Sequence, residues 1–275
     1  SLTNGTQIPP SDSETPPSVM VNVLETSVVR FSAFKDDWIP SKPVTHSYIF
    51  PNDVVNQTFA WTVAAGFPEK WRWPPSFPAD YGLDPDVVGP NDKFDGLFAG
   101  QLVGSLKAVP TFSIVMEMDD LFGRAGLYNN SQGEGFAWER PTSVEILMPD
   151  GSTGIQVDAG IRIAGDNVRN LSNSRKQSFR LEFRGRYGPT KLEFPLFGNG
   201  ATDSYDTIIL RGNYNDGWVH TPWGTQYIRD GWARQTQRDM GQIGAHGRWV
   251  HVYLNGVYWG IYNAVERPEA SFSAT

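Results

Sequence analysis

The sequence contains no cysteine. That single absence removes disulfides, thiolate metal sites and cysteine nucleophiles together. A chain of 275 residues is large enough to bury a core without such staples. No apolar run approaches the roughly 18 residues that span a bilayer, and no basic start followed by an apolar stretch marks a signal peptide. There is no cationic surplus either: a net charge of -7 and a pI near 5.1 argue against general nucleic-acid binding. His46, His220, His246 and His251 show no H-x3-H or H-E-x-x-H spacing, which argues against a zinc hydrolase. G-x-S-x-G, G-x-G-x-x-G and Walker patterns are absent as well.

What is abundant is aromatic. With 13% Phe, Trp and Tyr, including ten Trp, a core can be built from few large side chains despite only 39% hydrophobic residues. The 28 Gly and 20 Pro point to turns and long ordered loops rather than a helix bundle. Asn-x-Ser/Thr triplets at Asn4, Asn56, Asn129 and Asn170 are glycan acceptors only where the source glycosylates.

The chain divides by texture. Residues 1–17 read as a Ser/Thr/Pro linker with a processed or cut start. Residues 18–50 alternate as strands with a turn at Asp36-Asp37, too few to close a sandwich, and read as the remnant of a β-sandwich-like module. Residues 51–105 form an irregular Trp/Pro-rich connection, expected to be pinned by its own aromatics, with Trp61, Trp71 and Trp73 buried. It contains one helix over 93–107. Stacking of sugars on the Trp-rich stretch 61–78 is the alternative to packing. From 106 to 275 the strands PTFSIVMEM, SVEILMPDGS, GIQVDAGIRIAG, QSFRLEFRGRYG and YDTIILR follow one another. A helix over 223–240 places Tyr227, Ile228 and Trp232 near one side and ends at Gly241. A final hairpin turns at Asn255-Gly256.

One stretch stands against the overall acidity. SRKQSFRLEFRGRYGPTKLEFPLFG, read as a hairpin, gathers Arg175, Lys176, Arg180, Arg184, Arg186 and Lys191 against Glu182 and Glu193. The cations either guard a solvated strand edge or shape a surface for an anion. Near a turn, as at Arg184 and Arg186, the guarding role is favoured. Two acidic groups, Glu117 with Asp119 and Asp120, and Asp84 with Asp86, Asp92 and Asp95, offer oxygen ligands for a structural Ca2+ without the EF-hand order.

RKQSFRLEFRGRYGPTKLEFPLFG, LRGNYNDGW, QYIRD and HVYLNGVYWGIYNAVERP, with PTFSIVMEMDDLFG, GLYNN, WERPTSVEILMPDG and GIRIAG upstream, resemble the CotH kinase-like family over residues 109–275. The likeness is strongest to its copies in very large secreted bacterial surface proteins. VVRFSAFKDDWIPSKPVTHSYIF similarly resembles the end of a chitobiase-C-terminal-like β-module. The resemblance implies an α/β (α+β) fold, the sheet-rich N-lobe-like half of an atypical protein-kinase-like domain behind a β-module remnant. It implies ATP and Mg2+ as cofactors, phosphoryl transfer to Ser of a secreted protein, and a secreted or cell-surface location. The family's metal-holding acids lie in a helical lobe expected beyond Thr275, so this chain by itself is expected to be non-catalytic. The rival reading is a structural module of an extracellular or surface assembly.

By that resemblance Lys176 contacts phosphate, assisted by Arg162, Arg169, Arg175 and Arg180. Asp230 on the predicted helix pairs with the lysine by kinase analogy, with Asp239 and Glu266 behind it. An ion pair of Asp230 with Arg234, four residues on, is the structural alternative. Asn215-Asp216 reads as a cap or turn. Residues 249–265, without a covering lobe, are expected to be covered by the remainder of a longer protein or by another chain.

Overall fold

The computed structural model describes residues 6–10, 12, 15–71, 75–89, 92–152, 154–198, 200–212, 214, 216–217 and 225–268. In chain order, an antiparallel hairpin of β1 (Ser27–Phe31) and β2 (Val44–Tyr48) comes first. Helices α1 (Pro51–Val54) and α2 (Phe59–Ala64), the short pair β3 (Lys70–Trp71) and β4 (Phe77–Pro78), and helices α3 (Pro85–Val88) and α4 (Leu102–Ser105) follow. Then come β5 (Thr111–Val115), α5 (Met118–Phe122), β6 (Arg140–Leu147), β7 (Ile155–Ala164) and β8 (Ser178–Glu182). The short pair β9 (Leu192–Glu193) and β10 (Ser204–Tyr205), then β11 (Thr207–Arg211), α6 (Arg229–Asp239), β12 (Gly247–Leu254) and β13 (Val257–Glu266) complete the order.

The fold is mixed α/β and sheet-rich. Seven strands close into a barrel in the order β11-β13-β12-β5-β6-β7-β8, and β8 returns to β11. Every pairing is antiparallel except β12 with β5. The period-2 alternation of the sequence sets which side chains face in. Phe112, Ile114, Val144, Ile161, Leu181 and Leu210 are fully buried, each contributing roughly 1.5–3 kcal/mol over exposure. Asn255 and Gly256 turn the last hairpin at φ 48° and 84°, the left-handed pair that suits the strand twist. The Asn255 side chain also accepts from the Met116 amide at 2.8 Å and donates to the Met116 carbonyl at 3.0 Å. The turn thereby fixes where the parallel neighbour β5 ends.

An aromatic cluster extends this core into the segment before the barrel. Trp71, 1% exposed, lies 4.8 Å from Tyr128 and 5.3 Å from Trp259 by ring centres. Its indole N–H donates to Tyr81 Oη at 3.1 Å, and Tyr81 donates to the Pro68 carbonyl at 2.6 Å. Aromatic pinning of the connection therefore holds for Trp71 but not for Trp61, which is 42% exposed; Trp73 lies outside the described residues. The connection is also less irregular than expected, since it carries the short elements α1 to α4.

Four further expectations are corrected. The stretch 174–198 is not a hairpin: β8 lies between β7 and β11, and Glu193 pairs instead with Ser204. The helix expected over 93–107 shrinks to a 3-10 turn and α4, because Asp95 and Gly96 take φ 53° and 77°. The Asp92 carboxylate accepts from the Phe94 amide at 2.8 Å and the Gly96 amide at 3.0 Å, which favours a local turn over a helix. Helix α6 begins at Arg229, and Ile228, Trp232 and Met240 face solvent. Its polar side faces the barrel instead, because Arg234 and Arg238 donate to Asn263 and to the Ala245 carbonyl. Finally, Val250, Val252, Tyr253, Leu254 and Trp259 are 0–1% exposed. These side chains of 249–265 are covered by the rest of the barrel within the chain, while Ile261 is exposed.

Candidate functional site

The outer face of β7, β8 and β11 is built by alternation. Ile161, Leu181 and Ile208 point into the core, so Arg162, Arg180, Glu182 and Thr207 point out. Register places Arg162 directly across from Arg180, and Glu182 across from Gly160 on one side and Thr207 on the other. Like charges directly opposed on a sheet destabilise it unless an anion is shared. Glu182, with a side chain 3% exposed, supplies that anion. Its carboxylate lies 3.3 Å from Arg162 Nη2 and 3.2 Å from Arg184 Nη2, pairs with Arg180 Nε, and accepts from Thr207 Oγ1 at 3.1 Å.

Arg184 Nε also stands 3.3 Å from Glu139, and Tyr187 Oη donates to the same carboxylate at 3.3 Å. The Tyr187 ring lies against β7 because residue 160 is glycine; a Cβ there would meet the ring at 2.4 Å. Three guanidinium groups therefore face two buried carboxylates.

Lys176 lies apart from this array. It is half-buried, its Nζ donates to the Asp80 carbonyl at 2.6 Å, and the ammonium sits over Trp259 at 4.4 Å and Trp71 at 6.0 Å. Burial lowers its pKa to about 8, against the opposing pull of the Asp80 charge. Arg175 donates to the Pro78 carbonyl at 2.5 Å and covers Phe77. Arg169 pairs with Glu134, and Arg186 stacks on Phe136 at 4.4 Å. Lys191 pairs with Asp206 at 3.1 Å.

The acidic candidates are also engaged. Asp230 pairs with Arg211 and with Arg234, the structural alternative read from the sequence, rather than with Lys176. Asp239 accepts from Gln235 at 2.7 Å. Glu266, 5% exposed, accepts from the His246 amide at 2.6 Å and meets His246 Nδ1 at 2.8 Å. Asp216 accepts from the Gln226 and Arg229 amides at 3.1 and 2.9 Å, the turn role expected of it; Asn215 lies outside the described residues. Of the nucleotide-site candidates, Arg162 and Arg180 come together, while Lys176, Asp230 and Glu266 each sit elsewhere.

Neither acidic group forms a calcium site. Glu117 pairs with Arg30 at 2.9 Å and Asp120 lies 3.7 Å from Arg140. Asp84 caps α3, Asp86 pairs with Lys93, and Asp92 closes its turn. Among the described residues no group of three or more His, Cys, Asp or Glu stands where it could hold a metal. The cationic face fits the phosphates of a nucleotide; the described residues present no matching carboxylate set for Mg2+, and no step is derived through that ion.

Glu139 escaped the sequence reading, and Glu182 entered it only as a counter-charge within the cationic stretch. Glu182 is two residues from Arg180 and so shares its face, but its bond to Arg162 becomes visible only with the β7–β8 register.

A sheet-rich segment whose outer face carries a buried arginine–glutamate array is the class these observations define. Residues 161–275 match the family model described as CotH kinase protein. The match begins inside β7. No curated protein matches the chain.

Proposed function

We propose that the CotH-family segment is the N-lobe-like half of an atypical protein kinase, with the outer face of β7 and β8 receiving the phosphates of ATP. The observation that carries this reading is the direct opposition of Arg162 and Arg180, held by one buried carboxylate. Phosphoryl transfer asks a protein chiefly to position and neutralise phosphate oxygens. Guanidinium groups fixed on rigid strands do this with planar, bidentate donors. The proposed reaction is ATP- and Mg2+-dependent phosphorylation of Ser on a secreted or surface protein. In it Arg162 and Arg180 contact phosphate, and Lys176 joins them only when Asp80, Trp71 and Trp259 release it. Among the described residues no helix is long and apolar enough to cross a membrane.

Titration of Mg-ATP by calorimetry tests the proposal. Arg162→Ala should weaken binding about tenfold, the loss of one partly desolvated charged contact, while Arg186→Ala leaves it unchanged. Equal binding by wild type and Arg162→Ala would count against it. The engagement of Lys176 with Asp80 and the aromatic rings favours a second reading, a non-catalytic scaffold module. In that case Mg-ATP binds neither protein.

A further inference from the structure

We propose that the cleft between residues 25–26 and helices α1 and α2 binds an uncharged pyranose oligosaccharide stacked on Trp61. The cleft has a volume of about 210 Å3 and is lined by Glu25, Thr26, Asp53, Asn56 and Trp61. It is remote in sequence from the guanidinium array and uses none of its residues.

The walls are held in place before any ligand arrives. Thr58 caps α2 by accepting from the Trp61 amide at 3.1 Å, which orients the first turn that carries the indole. Gln57, buried between the two helices, exchanges hydrogen bonds with Tyr258: its Nε2 donates to the Tyr258 carbonyl at 3.0 Å and its Oε1 accepts from the Tyr258 amide at 2.8 Å. The helix pair is thereby fastened to barrel strand β13. On the other side, Asp53 accepts from the Thr26 amide at 2.9 Å, which ties residues 25–26 to α1.

The polar chemistry selects the ligand class. Asn56 donates to the Asn52 carbonyl at 2.8 Å, which leaves its own carbonyl oxygen as an acceptor. The Glu25 carboxylate and the remaining Asp53 oxygen are acceptors too. A cleft rich in acceptors binds a ligand rich in donors, and a ring of hydroxyl groups is such a ligand. A gluco-configured pyranose carries its hydroxyls at the rim and C–H bonds on its faces. That face matches the exposed indole, and burying both is favourable. The two carboxylates repel uronates and phosphorylated sugars. Sugar stacking, the alternative to packing for the Trp-rich stretch, thus falls to Trp61, because Trp71 is consumed by the core.

The test is calorimetric titration of the full chain with cellotetraose, tetragalacturonate and ethylamine. Cellotetraose should bind saturably. Trp61→Ala should weaken it about tenfold, the worth of one stacked ring, and Glu25→Gln about threefold. Glu25 is exposed and makes no side-chain hydrogen bond among the described residues, so its substitution tests the site without threatening the fold. Absence of cellotetraose binding by wild type would overturn the proposal. Unchanged binding in both variants would do so too, as would equal binding of tetragalacturonate or ethylamine.

Discussion

The Lys176 ammonium stands 4.4 Å from the centre of the Trp259 ring and donates to the Asp80 carbonyl at 2.6 Å. One side chain thus joins the lead-in to β8 with β13 and with the segment before the barrel. Aromatic faces and a carbonyl attract the cation, but they replace water incompletely, so burial lowers the pKa to about 8.

That shift has a definite pH signature. The unfolded chain keeps the Lys176 proton up to its ordinary 10.5, while the folded chain releases it near 8. Between those values the unfolded state binds more protons, so this group adds stability as pH rises. Below about 8 both states are charged and the full cost of enclosing the cation remains. Lys176→Met keeps the stem and removes the titration. The stability of wild type relative to Lys176→Met, from urea unfolding, should be flat below pH 8 and climb toward pH 10.5. A flat difference throughout would show that the ammonium is solvated.

Glu182 is the one carboxylate of the array that touches all three guanidinium groups, Arg162, Arg180 and Arg184. Removing one member of a buried ionic set leaves the others uncompensated and costs about 3–5 kcal/mol. Glu182→Gln keeps the shape and should lower stability by about 3 kcal/mol in chemical unfolding. Inorganic phosphate, which replaces the missing charge, should restore part of the thermal midpoint in Glu182→Gln more than in wild type. An equal salt response in both would mean that the arginines do not form an anion site.

His251 is 4% exposed, with Nε2–H donating to the Ser105 carbonyl at 2.9 Å and Nδ1 accepting from Tyr258 Oη at 3.1 Å. Both bonds use the neutral ring, and burial lowers its pKa below the ordinary 6.5. As pH falls below 6.5 the unfolded state takes up a proton that the folded state resists, so stability drops until the folded pKa is passed. His46 stands against Glu145 and His246 against Glu266, so comparing wild type with His251→Gln isolates the effect of this ring. The variant should lose less stability than wild type between pH 7 and 5, read from thermal unfolding.

The strands were legible because barrel strands with a filled interior show period-2 apolar alternation, as in Phe112, Ile114 and Val144, Ile146. The turn at Asn255-Gly256 was legible for its residue types alone. What the sequence hid was pairing. Nothing local says that β12 lies parallel to β5, or that β8 closes on β11, and those contacts turn an apparently uncovered hairpin into core. The site was hidden for the same reason: Arg162 and Arg180 are 18 positions apart and meet only through register. The exposed stripe of α6 misled because its arginines outweigh Trp232, reaching the Asn263 side-chain oxygen on β13 and the Ala245 carbonyl just before β12.

The family match begins at residue 161, but the folding unit cannot. A chain starting there lacks β5, β6 and the first six residues of β7, so β12 loses its neighbour β5, and the rest of β7, still paired with β8 through residues 161–164, loses β6. Two open edges and an unfilled interior invite association in place of folding. A chain starting at 106 regains every barrel strand but loses Trp71 and Tyr81, which cover Tyr128 and Trp259. Deleting a buried Trp alone costs about 3–5 kcal/mol, so this chain should close its barrel yet unfold at markedly lower temperature than one starting at 51. Near-ultraviolet circular dichroism during heating separates the three. The chain from 161 should show no cooperative transition, the chain from 106 a low one, and the chain from 51 a transition near that of the full protein. A cooperative transition in the chain from 161 would mean that the segment folds without closing the barrel.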